Sequence, residues 1–194
     1  MRSSFLPSAA LRLFDGVRAP WWIAGGWGID LWLGEQTRDH LDLDVAVLRR
    51  DQVVFWEKLS DWDLHLATAP GVLSPWSQSA VPEPLHAVWC RPTPESEWAF
   101  EVLLNDSQGD EWLFRRDHSV CLPLAELGSR TSDGLPFLNP EVILLYKAKN
   151  VRENDQADLL ASLSRLDPEA RAWLRSAIGQ VHPGHEWLGV LDSG

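Results

Sequence analysis

The sequence predicts an α+β protein, with strands and helices interleaved as far as about residue 135 and a helical segment from there to residue 194. Three stretches carry that prediction. Trp21-Trp22-Ile23-Ala24-Gly25-Gly26-Trp27-Gly28-Ile29-Asp30 reads as a buried strand, a glycine turn and the start of a helix. Leu41–Val47 alternates strictly, with Asp42 and Asp44 on one side and Leu41, Leu43, Val45 and Val47 on the other. From Glu141 onward the spacing turns helical, and Val142, Leu145 and Ala148 fall on one stripe.

The remaining elements follow in order. Pro7 to Val17 suits a short leading helix, and Pro20 resets the chain into a strand over Trp21–Ala24. Ile29, Leu31, Trp32 and Leu33 support a helix over Trp27–Leu33, with Gly34 as its stop. Arg49-Arg50-Asp51 opens a helix to about Ser60, turning Val54, Phe55 and Leu59 inward, and Asp61–Leu66 alternates as a strand. Residues 69–84 hold four prolines and a glycine among serines and read as a loop. His86–Arg91 and Glu97–Leu104 form an antiparallel pair, followed by a turn over Asn105–Glu111 and a short strand or irregular segment over Trp112–Arg116. Thr131–Asn139 is loop-like, and Asn139-Pro140 opens a helix as N-cap and first-turn proline. A second helix runs from Asn154 or Asp155 to about Leu166. A third starts at Asp167-Pro168 with Ala172, Trp173 and Ala177 on one face, and a last short segment spans Trp187–Leu191. The expected division is residues 1–135 and 136–194.

Composition narrows the function classes. No run of about eighteen apolar residues exists, so no membrane span is expected. Met1–Pro7 is too short, and too broken by Pro7, to be a secretory signal. Cys90 and Cys121 are the only cysteines and neither sits in a Cys-x-x-Cys, which disfavours a disulfide scaffold or a zinc site and makes the cytoplasm the default. A net charge of −11 argues against nonspecific nucleic-acid binding and suits a cationic small-molecule acceptor, although it also simply keeps a protein soluble. Twelve tryptophans are unusual, and core packing is the ordinary use for them.

Two carboxylates two residues apart on a strand share a face, with Cα atoms roughly 6–7 Å apart. They repel unless a cation sits between them, which is the arrangement of a divalent-metal clamp. The nearby glycines let backbone N–H groups approach an anion at a helix start. Glu101, between Phe100 and Val102, is a charged residue costly to place on an interior strand without a compensating partner.

Gly25-Gly26-Trp27-Gly28-Ile29-Asp30, Gly34-Glu35-Gln36-Thr37-Arg38-Asp39-His40 and Asp42-Leu43-Asp44, in this order and spacing, resemble the nucleotidyltransferases of the polymerase-beta superfamily. The branch resembled adenylylates aminoglycoside (2''-type) and lincosamide antibiotics. The resemblance is specific over residues 22–47, about 98–104 and 140–160. It implies a mixed β-sheet nucleotidyltransferase core with flanking helices and a C-terminal helical segment, and Mg²⁺-dependent transfer of AMP from ATP to a hydroxyl with release of pyrophosphate. Two Mg²⁺ ions are implied, held by Asp42, Asp44 and Glu101, the last completing the site or acting as general base. Many relatives carry Asp at that position, and Glu is one carbon longer. Gly25, Gly26 and Lys147 would hold the triphosphate, and Arg38 is a further phosphate candidate; for Lys147 the alternative is a solvated helix face. Where the superfamily often has Ser after the first glycine this chain has Gly26, so a hydroxyl contact is missing. Asp30 reads as structural, and Asp155 and Asp158 as partners for the nearby bases. Many relatives pair, which allows a homodimer. The resemblance also leaves open a protein or RNA acceptor, as in toxin–antitoxin modules, and a nucleotide-binding relative without catalysis.

Overall fold

The computed structural model describes residues 5–77 and 79–192, so the Met1–Ser4 part of the stretch weighed as a secretory signal lies outside the described residues. The helices are α1 (Pro7–Leu13), α2 (Gly25–Leu33), α3 (Gln52–Lys58), α4 (Pro140–Lys147), α5 (Glu153–Leu163), α6 (Pro168–Val181) and α7 (Trp187–Asp192). The strands are β1 (Trp21–Ile23), β2 (Asp44–Leu48), β3 (Asp63–Ala69), β4 (Val72–Pro75), β5 (Ala87–Arg91), β6 (Phe100–Gln108), β7 (Glu111–Leu113), β8 (Cys121–Pro123), β9 (Gly128–Arg130) and β10 (Pro136–Leu138).

One sheet runs β4-β3-β5-β6-β2-β1-β10-β9, with the β7–β8 hairpin continuing from the far end of β6. The sheet is mixed, as expected: β2 and β6 are parallel, as are β1 and β10, and the other neighbours are antiparallel. Its two faces bury separate cores. Val45, Val47, Val88, Cys90, Val102 and Leu104 point to the side covered by α1 and α3, where Phe14, Phe55 and Trp56 close the layer. Trp22, Ala46, Leu48 and Leu138 point to the other side, against α2 and the C-terminal helices. There Val142 and Leu145 of α4, and Ala148 at its C-terminal cap, are buried as their spacing predicts.

Several expectations need correction. Leu41 is 62% exposed and β2 begins only at Asp44, because the chain before it is still a polar connection and not a pleated strand. Asp42 therefore stands just ahead of the strand. Val54 is exposed while Trp56 takes the inward position beside Phe55, and α6 buries Leu174, Ala177 and Ile178 while Ala172 faces out. Within the proline-dense stretch read as loop, Val72–Pro75 is instead a strand, because Gly71 adopts a left-handed φ of 73° and lets β4 turn back on β3. Pro75 sits at the end of that edge strand, where the missing N–H costs no ladder bond. Asn105–Gln108 continues β6 instead of turning. Pro136–Leu138, read as loop, is a buried strand seated beside β1 with Ile23 opposite Phe137. Asn139 does precede α4, but its side chain donates to Glu126 O at 2.7 Å and accepts from Ser129 Oγ at 2.8 Å instead of capping the helix. Among the described residues no helix is long and apolar enough to cross a membrane.

Candidate active site

The site grows from the register of β2 on β6. Asp44 is the direct partner of Glu101 across this parallel pair, so the two side chains stand on the same face one strand spacing apart, about 4.8 Å. Trp89 of β5 is opposite Glu101 on its other side, and it offsets part of the rise that burial gives the Glu101 carboxyl. Burial and the neighbouring Asp42 push the Asp44 carboxyl up to about 7. Burial, Asp44 and then Asp42 raise Glu101 to about 8. Burial and neighbouring carboxylates make Asp44 and Glu101 costly to ionise without a cation nearby, which is the electrostatic signature of a cation site.

The glycine turn is fitted against this pair. The Ala24 N–H donates to Asp44 O at 2.9 Å, so β2 begins beside the start of α2. Gly25 has φ +59°, and a Cβ there would run into the Asp44 carboxylate. Gly25→Ala should therefore both strain the backbone and displace Asp44; we expect a loss of about 1–3 kcal/mol in urea unfolding together with loss of activity. A stability change near zero would show that the turn tolerates a side chain. A Cβ at Gly26 would collide with the Arg38 guanidinium and the His40 ring, so this glycine makes room for the 34–40 connection to fold over the turn.

That connection is pinned from beneath. Asp30, buried in α2, accepts from Thr37 Oγ1 at 2.6 Å and from Thr37 N at 3.1 Å, and it pairs with His40 Nε2. Burial opposes ionisation of Asp30, but these bonds win and hold its carboxyl below the usual range. The His40 ring lies over Trp27, 4.4 Å between centroids. Asp30 is thus a structural residue, as its place one turn past the glycines predicts.

Arg38 and Lys147, 109 positions apart in sequence numbering (147 minus 38), meet at one carboxylate. Arg38 Nε and Nη2 donate to Asp158 at 2.8 and 2.9 Å, and Lys147 Nζ lies 3.0 Å from the same group. Lys147 also donates to Asp155 at 2.7 Å, and Asp155 is in turn held by Arg152. Burial would raise Asp155, but its bonds to Arg152 and Lys147 bring it down to about 2. Three cations on two carboxylates leave this wall net positive.

Between the sheet and α4 lies a cavity of about 450 Å³, bordered by Gly25 and Asp44 at one end and by Lys147, Arg152 and Asp155 along α4 and α5. Its far end is formed by His86, Arg115, Arg116 and Tyr146. The Arg116 guanidinium lies over the Phe114 and Tyr146 rings and donates to Tyr146 O at 3.1 Å. Burial and Arg115 drop His86 to about 4, so it is neutral near pH 7. Burial lifts Tyr146 to about 12, and its hydroxyl donates to Asn105 at 3.1 Å. Neither is tuned for proton transfer near neutrality, whereas Asp44 and Glu101, raised to about 7 and about 8, titrate there. The structure thus brings Gly25, Asp44 and Lys147 to one cavity, with Glu101 beside Asp44, Asp42 close enough to raise both carboxyls, and Gly26 and Arg38 behind the turn. The basic far end was not foreseen, although Arg115-Arg116 in so acidic a chain was the available signal.

The model of the aminoglycoside-2''-adenylyltransferase family matches residues 8–69. A lincosamide resistance protein of Staphylococcus haemolyticus is 43% identical over 51 residues, 26% of this chain and 32% of that protein, so the match spans about a third of the relative's length. The solved lincosamide antibiotic adenylyltransferase LnuA, lincomycin-bound, superposes with a TM-score of 0.54 at 18% identity, covering 78% of this chain and 90% of that one. ANT(2'')-Ia in complex with adenylyl-2''-tobramycin gives 0.56 at 14% identity, covering 88% and 93%. The chain has the nucleotidyltransferase fold. Its sequence relatives lie in the aminoglycoside and lincosamide branch, as the glycine turn and Asp-x-Asp predict. Within that nucleotidyltransferase fold, the matched segment runs from α1 through β3 and so contains the glycine turn, Asp42 and Asp44.

Proposed function

We propose that this protein is a Mg²⁺-dependent adenylyltransferase that moves AMP from ATP to a hydroxyl of a small antibiotic-like acceptor and releases pyrophosphate. The observation that carries the reading is the Asp44–Glu101 register pair at the mouth of a cavity with a glycine turn on one side and cations along another. Among the described residues no three His, Cys, Asp or Glu side chains already converge as a complete metal cage. That suits Mg²⁺, which usually takes one or two carboxylates and completes its shell with water and substrate phosphates. Asp42, Asp44 and Glu101 are hard oxygen donors, and Asp44 and Glu101 ionise cheaply only beside a cation, so the set fits the ion. When bound, Mg²⁺ supplies charge to the α-phosphate and acidity to the attacking hydroxyl.

The chain's own residues do the rest. Gly25 and Gly26 let the start of α2 approach the triphosphate. Lys147, fixed by Asp155 and Asp158, presents charge toward the leaving pyrophosphate without reorganising during the reaction. Glu101, raised by its neighbours, accepts the acceptor's proton. Arg38 stabilises the turn from behind and adds to the same positive field.

The deciding experiment measures pyrophosphate release from Mg-ATP against aminoglycosides, lincosamides and other hydroxylated small molecules. Release dependent on one acceptor is expected. Bound ATP with no release across the panel would redirect the reading to a protein or RNA acceptor, and absence of ATP binding would remove it.

A further inference from the structure

The cavity's far end carries positive charge that no carboxylate answers. Arg115, Arg116 and Lys149 all border it, in a chain with 17 basic and 28 acidic residues. Among the described residues none of the three is ion-paired. The acids of the neighbouring segments are engaged elsewhere. Asp106 holds Arg49 at 2.7 Å and lies 3.4 Å from His118, and Asp117 accepts from Ser119 N at 3.0 Å within its own turn. Asp155 is held by Lys147 and Arg152, so the Lys147 wall spends most of its charge internally.

The two arginines are also fixed in place. They sit in the tight connection from β7 to β8, which closes through Asp117 N to Phe114 O at 2.9 Å and Val120 N to Asp117 O at 3.0 Å. The Arg116 guanidinium rests over the Phe114 and Tyr146 rings and gives one N–H to Tyr146 O, leaving its other N–H groups for a ligand. Tyr146 is itself anchored by its hydroxyl on Asn105, which Trp112 Nε1 also holds at 3.1 Å. The uncompensated field reaches the histidines on either side. Burial and Arg115 lower His86, and burial, His185, Arg116 and Lys149 hold His182 below its ordinary value.

Resting on the adenylyltransferase reading, we propose that Arg115, Arg116 and Lys149 form an anion site that grips an oxyanion of a substrate whose reacting end lies at Asp44. Planar guanidinium groups bind phosphate and carboxylate oxygens in pairs, and a site walled by aromatic rings screens them less than open water does. Asn105, under Tyr146, is four positions along β6 from Glu101, about 13 Å, so the two ends of the cavity are a small molecule's length apart. The oxyanion has two possible sources, the terminal phosphates of the nucleotide or an acidic group on the acceptor.

Calorimetric titration of the whole chain with inorganic pyrophosphate tests the site. Wild type should bind it, and Arg115→Met and Arg116→Met should each weaken binding about tenfold, the scale of one lost charge-assisted contact. Arg116→Lys should regain part of that loss. Lys149→Met changes an exposed side chain and should cost about threefold, which keeps the test open if an arginine variant folds poorly. No binding by wild type overturns the site, as does an affinity unchanged in all three methionine variants. Repeating the titration with Mg²⁺ and a saturating non-hydrolysable ATP analogue then separates the sources. Exclusion of pyrophosphate, with the analogue weakened by Arg115→Met, assigns the site to the nucleotide. Retention of pyrophosphate with the same arginine dependence assigns it to an acidic acceptor. Capture of pyrophosphate by the arginines without any binding of the analogue removes nucleotidyl transfer and leaves the anion site standing.

Discussion

Asp44→Asn is expected to lower nucleotidyl transfer by about 10³-fold or more, the scale of removing a metal-mediated stabilisation of several kcal/mol. The same substitution should make the metal-free protein more stable. Burial and Asp42 hold the folded Asp44 carboxyl near 7, well above its ordinary value, and Glu101 is held near 8. A carboxyl raised on folding keeps a proton that the unfolded chain releases. Stability of the metal-free protein therefore falls as pH rises from about 4 toward 8, across the window between the unfolded and folded values. Thermal melting in chelator at pH 5 and pH 8 should show that fall in wild type and a shallower one in Asp44→Asn. Mg²⁺ should stabilise wild type most at pH 8, where the carboxylates it binds need not first lose protons. A variant that melts lower than wild type at pH 8 in chelator would contradict the repulsion on which the metal site rests.

Asp158→Ala should be the most damaging change outside the carboxylate patch, at about 3–5 kcal/mol. Asp158 is almost wholly buried and accepts from Arg38 while it contacts Lys147. Removing it leaves two part-buried cations with one carboxylate fewer, and detaches the 34–40 connection from α5. Urea unfolding measures the first consequence, and nucleotide affinity the second. A loss below about 1 kcal/mol would mean that water replaces the carboxylate, as it does for a surface ion pair. Arg38→Met in the same background should recover part of the stability, because the unpaired guanidinium goes with it.

What could be read beforehand was local. Trp21–Leu33 announces strand, glycine turn and helix because hydrophobic spacing, paired glycines and Gly34 all act within a few residues. The carboxylates were legible as types, yet the alternation from Leu41 misplaced Asp42 on the strand, since periodicity alone does not say where pairing begins. Pro75 and Pro136 hid β4 and β10, because proline reads as a breaker unless one knows that its position requires no N–H donor. The register that puts Glu101 between Asp44 and Trp89, and the meeting of Arg38 with Lys147 at Asp158, are set by tertiary packing and have no signature in spacing.

The pairing of β1 with β10 has a consequence for how the chain acquires its shape. Trp21–Ile23 emerges among the first strands, finds β2 at once, and then waits for Phe137, more than a hundred residues later, to cover its other edge. Until then a short apolar strand carrying two tryptophans stands with an open row of backbone donors and acceptors. Closure of so distant a parallel contact is slow relative to hairpin formation, since the intervening loop must be ordered first. On the ribosome, the sheet that carries Asp44 thus remains open on one side until the strand leading into α4 has been made, and the cavity wall bearing Lys147 is built within the next ten residues.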